Sequence, residues 1–119
     1  MRLGIPKETH PGECRVSAAP DNVKKLVGLG FEVIVETHAG TGAKFPDSAY
    51  ESTGAHIVQD ASELWSKADL ILKIRAPEDS EIPLLREGCT LICSVQPAQN
   101  PELMEALKAR KANVIAMDC

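Results

Sequence analysis

The sequence predicts an α/β domain: a three-layer sandwich built on a mostly parallel, doubly wound sheet. Three observations carry that expectation. Short β-branched runs alternate with stretches whose apolar residues recur at helical spacing, the pattern of repeated strand–helix–strand units. The runs at 69–74, 89–95 and 113–117 are apolar through their length rather than alternating, as in strands covered on both faces. The length, 119 residues of which 44% are apolar, suits one domain with one core.

The elements follow in order. Arg2-Leu3-Gly4-Ile5 opens as a first strand, stopped by Pro6. Residues 6–20 are rich in Pro, Gly, His and charge and form a loop. Asp21 follows Pro20 as an N-cap or first-turn acid; Val23, Leu26 and Val27 then keep helical spacing, and Gly28 and Gly30 mark the helix end. Residues 31–37 form a second strand, 38–46 a Gly-rich loop, 46–54 a short helical turn closed by Gly54, and 55–59 a brief strand. A helix over 60–68 is capped by Asp60 or Ser62 and turns Leu64 and Trp65 to the core. After the strand 69–74 comes a helical turn within 77–88, ending at Gly88, and then the strand 89–95. The helix over 100–111 has Asn100 as N-cap, Pro101 at its first position and Glu102 in its first turn, while Lys108, Arg110 and Lys111 suit its C-terminal dipole. Residues 112–118 are the last strand. Right-handed crossovers give a Rossmann-like or flavodoxin-like sheet. The chain stops on a strand, the expectation for a single truncated domain, residues 1–119.

Composition excludes several functions. Aromatic residues are 3% of the chain (Phe31, Phe45, Tyr50 and Trp65), so the core is expected to be aliphatic. Seventeen acidic against 13 basic residues leave a net charge of −4, which argues against nucleic acid as a partner. No run of about 18 apolar residues exists, so no membrane insertion is expected. The N-terminus lacks the apolar stretch of a secretory leader. Cys14, Cys89, Cys93 and Cys119 form no Cys-x-x-Cys pair and have no His at zinc-finger spacing, so no metal site is expected. They read as small buried hydrophobes in a reducing compartment, Cys89 and Cys93 on one face of one strand.

Four segments offer chemistry. Gly40-Thr41-Gly42-Ala43-Lys44-Phe45 begins like a dinucleotide fingerprint, but Phe45 replaces the third glycine and Pro46 stands where the phosphate-binding helix must already run. It reads as a turn. Arg15 follows the first strand, at the end of the sheet where open parallel folds bind ligands; it can clamp a carboxylate or phosphate, or pair with Glu13. Lys73 lies late in an apolar strand and must reach water or an acid, and period two puts it on one face with Arg75. Arg15, Lys73 and Arg75 would then line one anion-attracting cleft. Gln96, at the carboxyl end of the next strand, would face the same crevice. His10, His38 and His56 have no nucleophile or second ligand nearby in this reading and take no role.

Four stretches, in this order and spacing, resemble a known family: Gly4-Ile5-Pro6-Lys7-Glu8; Glu13-Cys14-Arg15-Val16 with Pro20; Val35-Glu36 through Ala39-Gly40; and Ile71-Leu72-Lys73-Ile74 with Ala76-Pro77. It is the amino-terminal domain shared by alanine dehydrogenase and the alpha subunit of proton-translocating NAD(P) transhydrogenase. The resemblance covers the whole chain. In the alanine dehydrogenase branch it implies a substrate-carboxylate Arg at Arg15, a substrate-contacting Lys at Arg75 and a catalytic His at Gln96. Only the Arg is kept here. Arg75 cannot exchange a proton as an amine does, and Gln96 cannot act as a general acid or base. The segment Gln96-Pro97-Ala98-Gln99-Asn100-Pro101-Glu102-Leu103-Met104 instead looks like the transhydrogenase branch.

That branch implies an oxidoreductase that passes hydride from NAD(H) to NADP(H), coupled to proton movement. Its implied partners are an NADP-binding component and a membrane part; the parent is a homodimer, cytoplasmic and peripheral to the inner membrane. The family's NAD fingerprint lies in a second, nucleotide-binding domain, so no catalytic or cofactor-binding residue carries over to this chain. NAD belongs to the parent, and none is expected bound to these residues alone. A stand-alone anion-binding or docking domain is the reading from another functional class.

Overall fold

A computed structural model of the protein describes residues 1–93 and 101–116. The strands are β1 (Arg2–Ile5), β2 (Glu32–Glu36), β3 (His56–Val58), β4 (Leu70–Leu72), β5 (Thr90–Cys93) and β6 (Asn113–Ala116). The helices are α1 (Pro20–Gly28), α2 (Asp47–Glu51), α3 (Ala61–Lys67) and α4 (Pro101–Ala109), with short 3₁₀ turns at Thr41–Ala43 and Ile82–Leu84. The strands form one sheet in the order β3-β2-β1-β4-β5-β6, and every neighbouring pair is parallel. This is the Rossmann order rather than the flavodoxin one.

Period-two alternation divides the core between the two faces. Val33 and Val35 of β2 pack with Leu3, Ile5, Val23 and Tyr50, under α1 and α2. Ile34 turns the other way and joins Leu64, Trp65, Ile71, Leu91 and Leu107, under α3 and α4. The aliphatic expectation holds by number, but Trp65 and Tyr50 are the largest fully buried side chains among the described residues. Tyr50 Oη donates to the Ala18 carbonyl at 2.8 Å. Trp65 Nε1 is buried and has no hydrogen-bond partner among the described residues. Gly4 of β1 lets α3 sit directly on the sheet, because a Cβ there would lie 2.9 Å from Ala68 Cβ and 3.2 Å from Leu64 Cδ2.

Several local expectations shift. Ala19 is the N-cap of α1, Pro20 takes its first turn, and Asp21 is the first-turn acid. Asp60, not Ser62, caps α3: its Oδ1 accepts from the Glu63 amide at 2.7 Å. Within the expected run 113–117, β6 spans Asn113–Ala116 at the edge of the sheet, and Ile115 is 55% exposed rather than covered. Cys89 and Cys93 are buried, but Cys14 is exposed on the loop after β1. Cys119 and the expected Asn100 cap lie outside the described residues. Among the described residues, no helix is long and apolar enough to cross a membrane.

Candidate functional site: a charged crevice at the switch point

β1 and β4 are neighbours, yet the chain leaves β1 toward α1 on one face and leaves β4 toward the opposite face, where Leu85 joins the α3 core. That reversal opens a crevice beyond the carboxyl ends of the two strands. The loops that border it, 6–19 and 73–81, carry nearly all the charge chemistry singled out from the sequence. Ser17 Oγ ties them together by donating to the Leu72 carbonyl at 2.7 Å.

The inner part is dry. Lys73 is 1% exposed, so its place lining an open cleft is corrected. It does not reach for water, because two acids meet it inside. Its Nζ lies 3.0 Å from Glu8 Oε1 and 3.6 Å from Glu81 Oε1. Glu8 also accepts from two backbone amides, Ile74 at 3.0 Å and Arg75 at 3.3 Å. Those amides are thereby taken from the sheet, and β4 ends at Leu72 rather than running to Ile74. Two carboxylates around one ammonium leave an excess negative charge. Burial pushes the Glu81 carboxyl up from its ordinary value, against the pull of Lys73.

The outer part is wet. Arg15 and Arg75 keep 65% and 46% of their side-chain surfaces exposed, and both grip Glu13. Glu13 accepts Arg15 Nη2 at 2.8 Å and Nε at 2.9 Å, the Arg15 amide at 2.9 Å, and Arg75 Nε at 2.8 Å. The Arg15 fork first, and Arg75 second, hold its carboxyl well below the usual carboxylate range. The structure thus brings Arg15 and Arg75 together, with Lys73 behind them on a separate acid. Gln96 lies outside the described residues. His10 stands at the rim, its Nδ1 3.2 Å from Glu78 Oε1.

The glycine-rich segment is a packed turn. A Cβ on Gly40 would meet the Phe45 carbonyl and Tyr50 Cε2 at 2.7 Å, and one on Gly42 would meet the Cys14 carbonyl at 2.8 Å. Both sites are filled by protein. Among the described residues, no cluster of three or more His, Cys, Asp or Glu could hold a metal ion.

The arrangement suits holding an anion rather than moving a proton. Two guanidiniums, already oriented by one carboxylate, retain outward N–H groups and stay charged at any working pH. The nearby amine is sequestered. Glu8 and Glu81 escaped the sequence reading, since each lies in its own loop and Glu8 is 65 residues from Lys73. The one available signal was the cost of a lone Lys in an apolar run, which calls for water or an acid without saying which.

Known proteins share this framework. The family model for the alanine dehydrogenase/PNT N-terminal domain matches residues 4–119. The NAD(P) transhydrogenase subunit alpha of Haemophilus influenzae is 46% identical over 118 residues, which are 99% of this chain and 23% of that protein. The alanine dehydrogenase of Bacillus subtilis is 38% identical over 99% of this chain and 31% of its own length. The crystal structure of a transhydrogenase from Sinorhizobium meliloti superposes with a TM-score of 0.93 at 38% identity, covering 98% of this chain and 33% of that one.

Proposed function

We propose, for a chain that belongs to the alanine dehydrogenase/PNT N-terminal domain family, that it is the N-terminal domain of an oxidoreductase of the NAD(P) transhydrogenase subunit alpha type. In this reading residues 1–119 carry no nucleotide-binding domain. The whole enzyme passes hydride between NAD(H) and NADP(H), works with an NADP-binding component and a membrane part, and acts as a homodimer on the cytoplasmic side of the inner membrane.

The observation that carries the choice is the chemistry of the crevice. Amino-acid deamination needs a group that takes up and returns a proton. Arg15 and Arg75 stay charged, Lys73 is buried between Glu8 and Glu81, and position 96 is Gln. Such a crevice can bind and orient an anion, or dock an anionic group of a neighbouring domain. The higher identity to transhydrogenase alpha subunits than to alanine dehydrogenases supports the same branch.

The test is a pair of assays on the full-length protein that carries this domain, assembled with its NADP-binding component. Hydride transfer from NADH to an NADP analogue is expected, with no reduction of NAD by alanine. Alanine-dependent NADH formation would overturn the assignment. Residues 1–119 alone are expected to bind NADH negligibly, because the turn at 40–45 is filled by Tyr50, Phe45 and Cys14. Micromolar affinity in a calorimetric titration would refute that.

A further inference from the structure

Gly42 has no conformational reason to be glycine. Its φ is not among the positive ones, and it sits in a 3₁₀ turn, where alanine is at least as favourable. The reason lies across the gap. A Cβ there would be 2.8 Å from the Cys14 carbonyl oxygen, 3.1 Å from its Cα and 3.3 Å from its carbonyl carbon. These are backbone atoms, which cannot rotate away as a side chain can. Cys14 stands between Glu13 and Arg15, the two residues that build the exposed charge fork.

The surface on which Cys14 rests is itself rigid. The Gly40 carbonyl accepts the Ala43 amide at 3.0 Å and the Phe45 amide at 2.8 Å. Gly40 is pressed against Phe45 and Tyr50, and Tyr50 Oη holds the Ala18 carbonyl at the far end of the same crevice loop. Residues 40–50 therefore grip the 12–18 loop at two points, Cys14 and Ala18.

We propose that Gly42 is a positioning residue for the crevice: the hydrogen in place of its side chain seats the Cys14 backbone, and thereby sets Glu13 and Arg15 in register with Arg75. Its consequence for binding rests on the anion-clamp reading of Arg15 and Arg75, but the positioning itself does not. The sequence pattern that mimics a nucleotide fingerprint is, on this account, a support for a different anion site.

The experiment is NMR of the full chain. In the unsubstituted chain the Glu13 carboxyl carbon is expected to titrate below the ordinary glutamate range, and the Arg75 Nε–H, which donates to Glu13 across the two loops, to be slowed in exchange. Gly42→Ala is expected to raise the Glu13 midpoint by about one pH unit, the order of effect of losing one neighbouring guanidinium. It should also expose the Arg75 Nε–H, because the local Arg15–Glu13 pair moves with its loop while the bond across to Arg75 is lost. Gly28→Ala, whose added Cβ meets nothing within 4 Å, should leave both signals unchanged. Should Gly42→Ala not fold, Ala43→Gly adds no atom, loosens the same turn, and should move Glu13 the same way by less. A folded variant with unchanged Glu13 and Arg75 signals overturns the proposal, and so does an equal response from Gly28→Ala. Titrating the parent with acetate reads the clamp separately. Shifts of both arginine Nε–H signals support it, and their absence sinks the clamp while Glu13 still decides the positioning.

Discussion

Two ion clusters lie side by side at one switch point, and they are built on opposite principles. Glu8, Lys73 and Glu81 are sealed from water, with side chains no more than 6% exposed. Glu13, Arg15 and Arg75 put the acid inside and the cations outside. In the first, the charged groups meet one another and three backbone amides, those of Ile74, Arg75 and Glu78, behind the surface and out of a ligand's reach. In the second, one carboxylate cannot saturate two guanidiniums, so donors remain free. Neighbouring clusters of acids and cations thus do different work. The buried one fixes the two loops to each other, and the exposed one presents charge.

The comparison breaks most visibly at Lys73. Lys73→Met strands Glu8 and Glu81 in the interior, and chemical denaturation should show a loss of about 3–5 kcal/mol. A loss under about 1 kcal/mol would mean that water reaches the cluster and that the dry/wet distinction fails.

The pH dependence sharpens it next, because the two clusters carry shifts of opposite sign. Glu13 is depressed, so its stabilisation is complete above the ordinary value of 4.5 and fades as pH falls below it. Glu81 is raised, so its contribution is complete below 4.5 and is lost as pH rises through its higher folded value. Glu13→Gln should flatten the acid limb and cost about 1 kcal/mol at neutral pH. Glu81→Gln keeps the acceptor for the Glu78 amide, removes the excess charge, and should flatten the slope above 4.5. Melting curves from acid to neutral pH for the parent and both variants read these limbs. Swapped effects would reverse the assignment.

The smallest stability effect belongs to Arg15. Being exposed, Arg15→Ala should shift stability by no more than about 0.5 kcal/mol. Acetate binding, followed at Arg75 Nε–H, should nevertheless weaken strongly. If binding survives, the outer cluster is only a surface ion pair.

The fold was largely legible because its signals are local. Short apolar strands, Asp60 three residues before the Glu63 amide, and Pro20 at a helix start all act within a turn or two of chain. The edge position of β6 was not legible. An apolar run says that a strand can be buried, while the strand order decides which strands are.

The site divides the same way. Arg15 and Arg75 could be placed at strand ends by counting residues, and Glu13 lies two residues from Arg15. By itself the sequence determined a parallel α/β sheet, cationic loops at its carboxyl edge, and a lysine that had to reach water or an acid. Only the tertiary structure decided that Lys73 is withdrawn from the crevice, that Glu8 and Glu81 are its partners, and that Gly42 carries the backbone of Cys14. Those outcomes depend on which loops the sheet order makes adjacent, and ion pairing and steric fit act through space, whatever the separation along the chain.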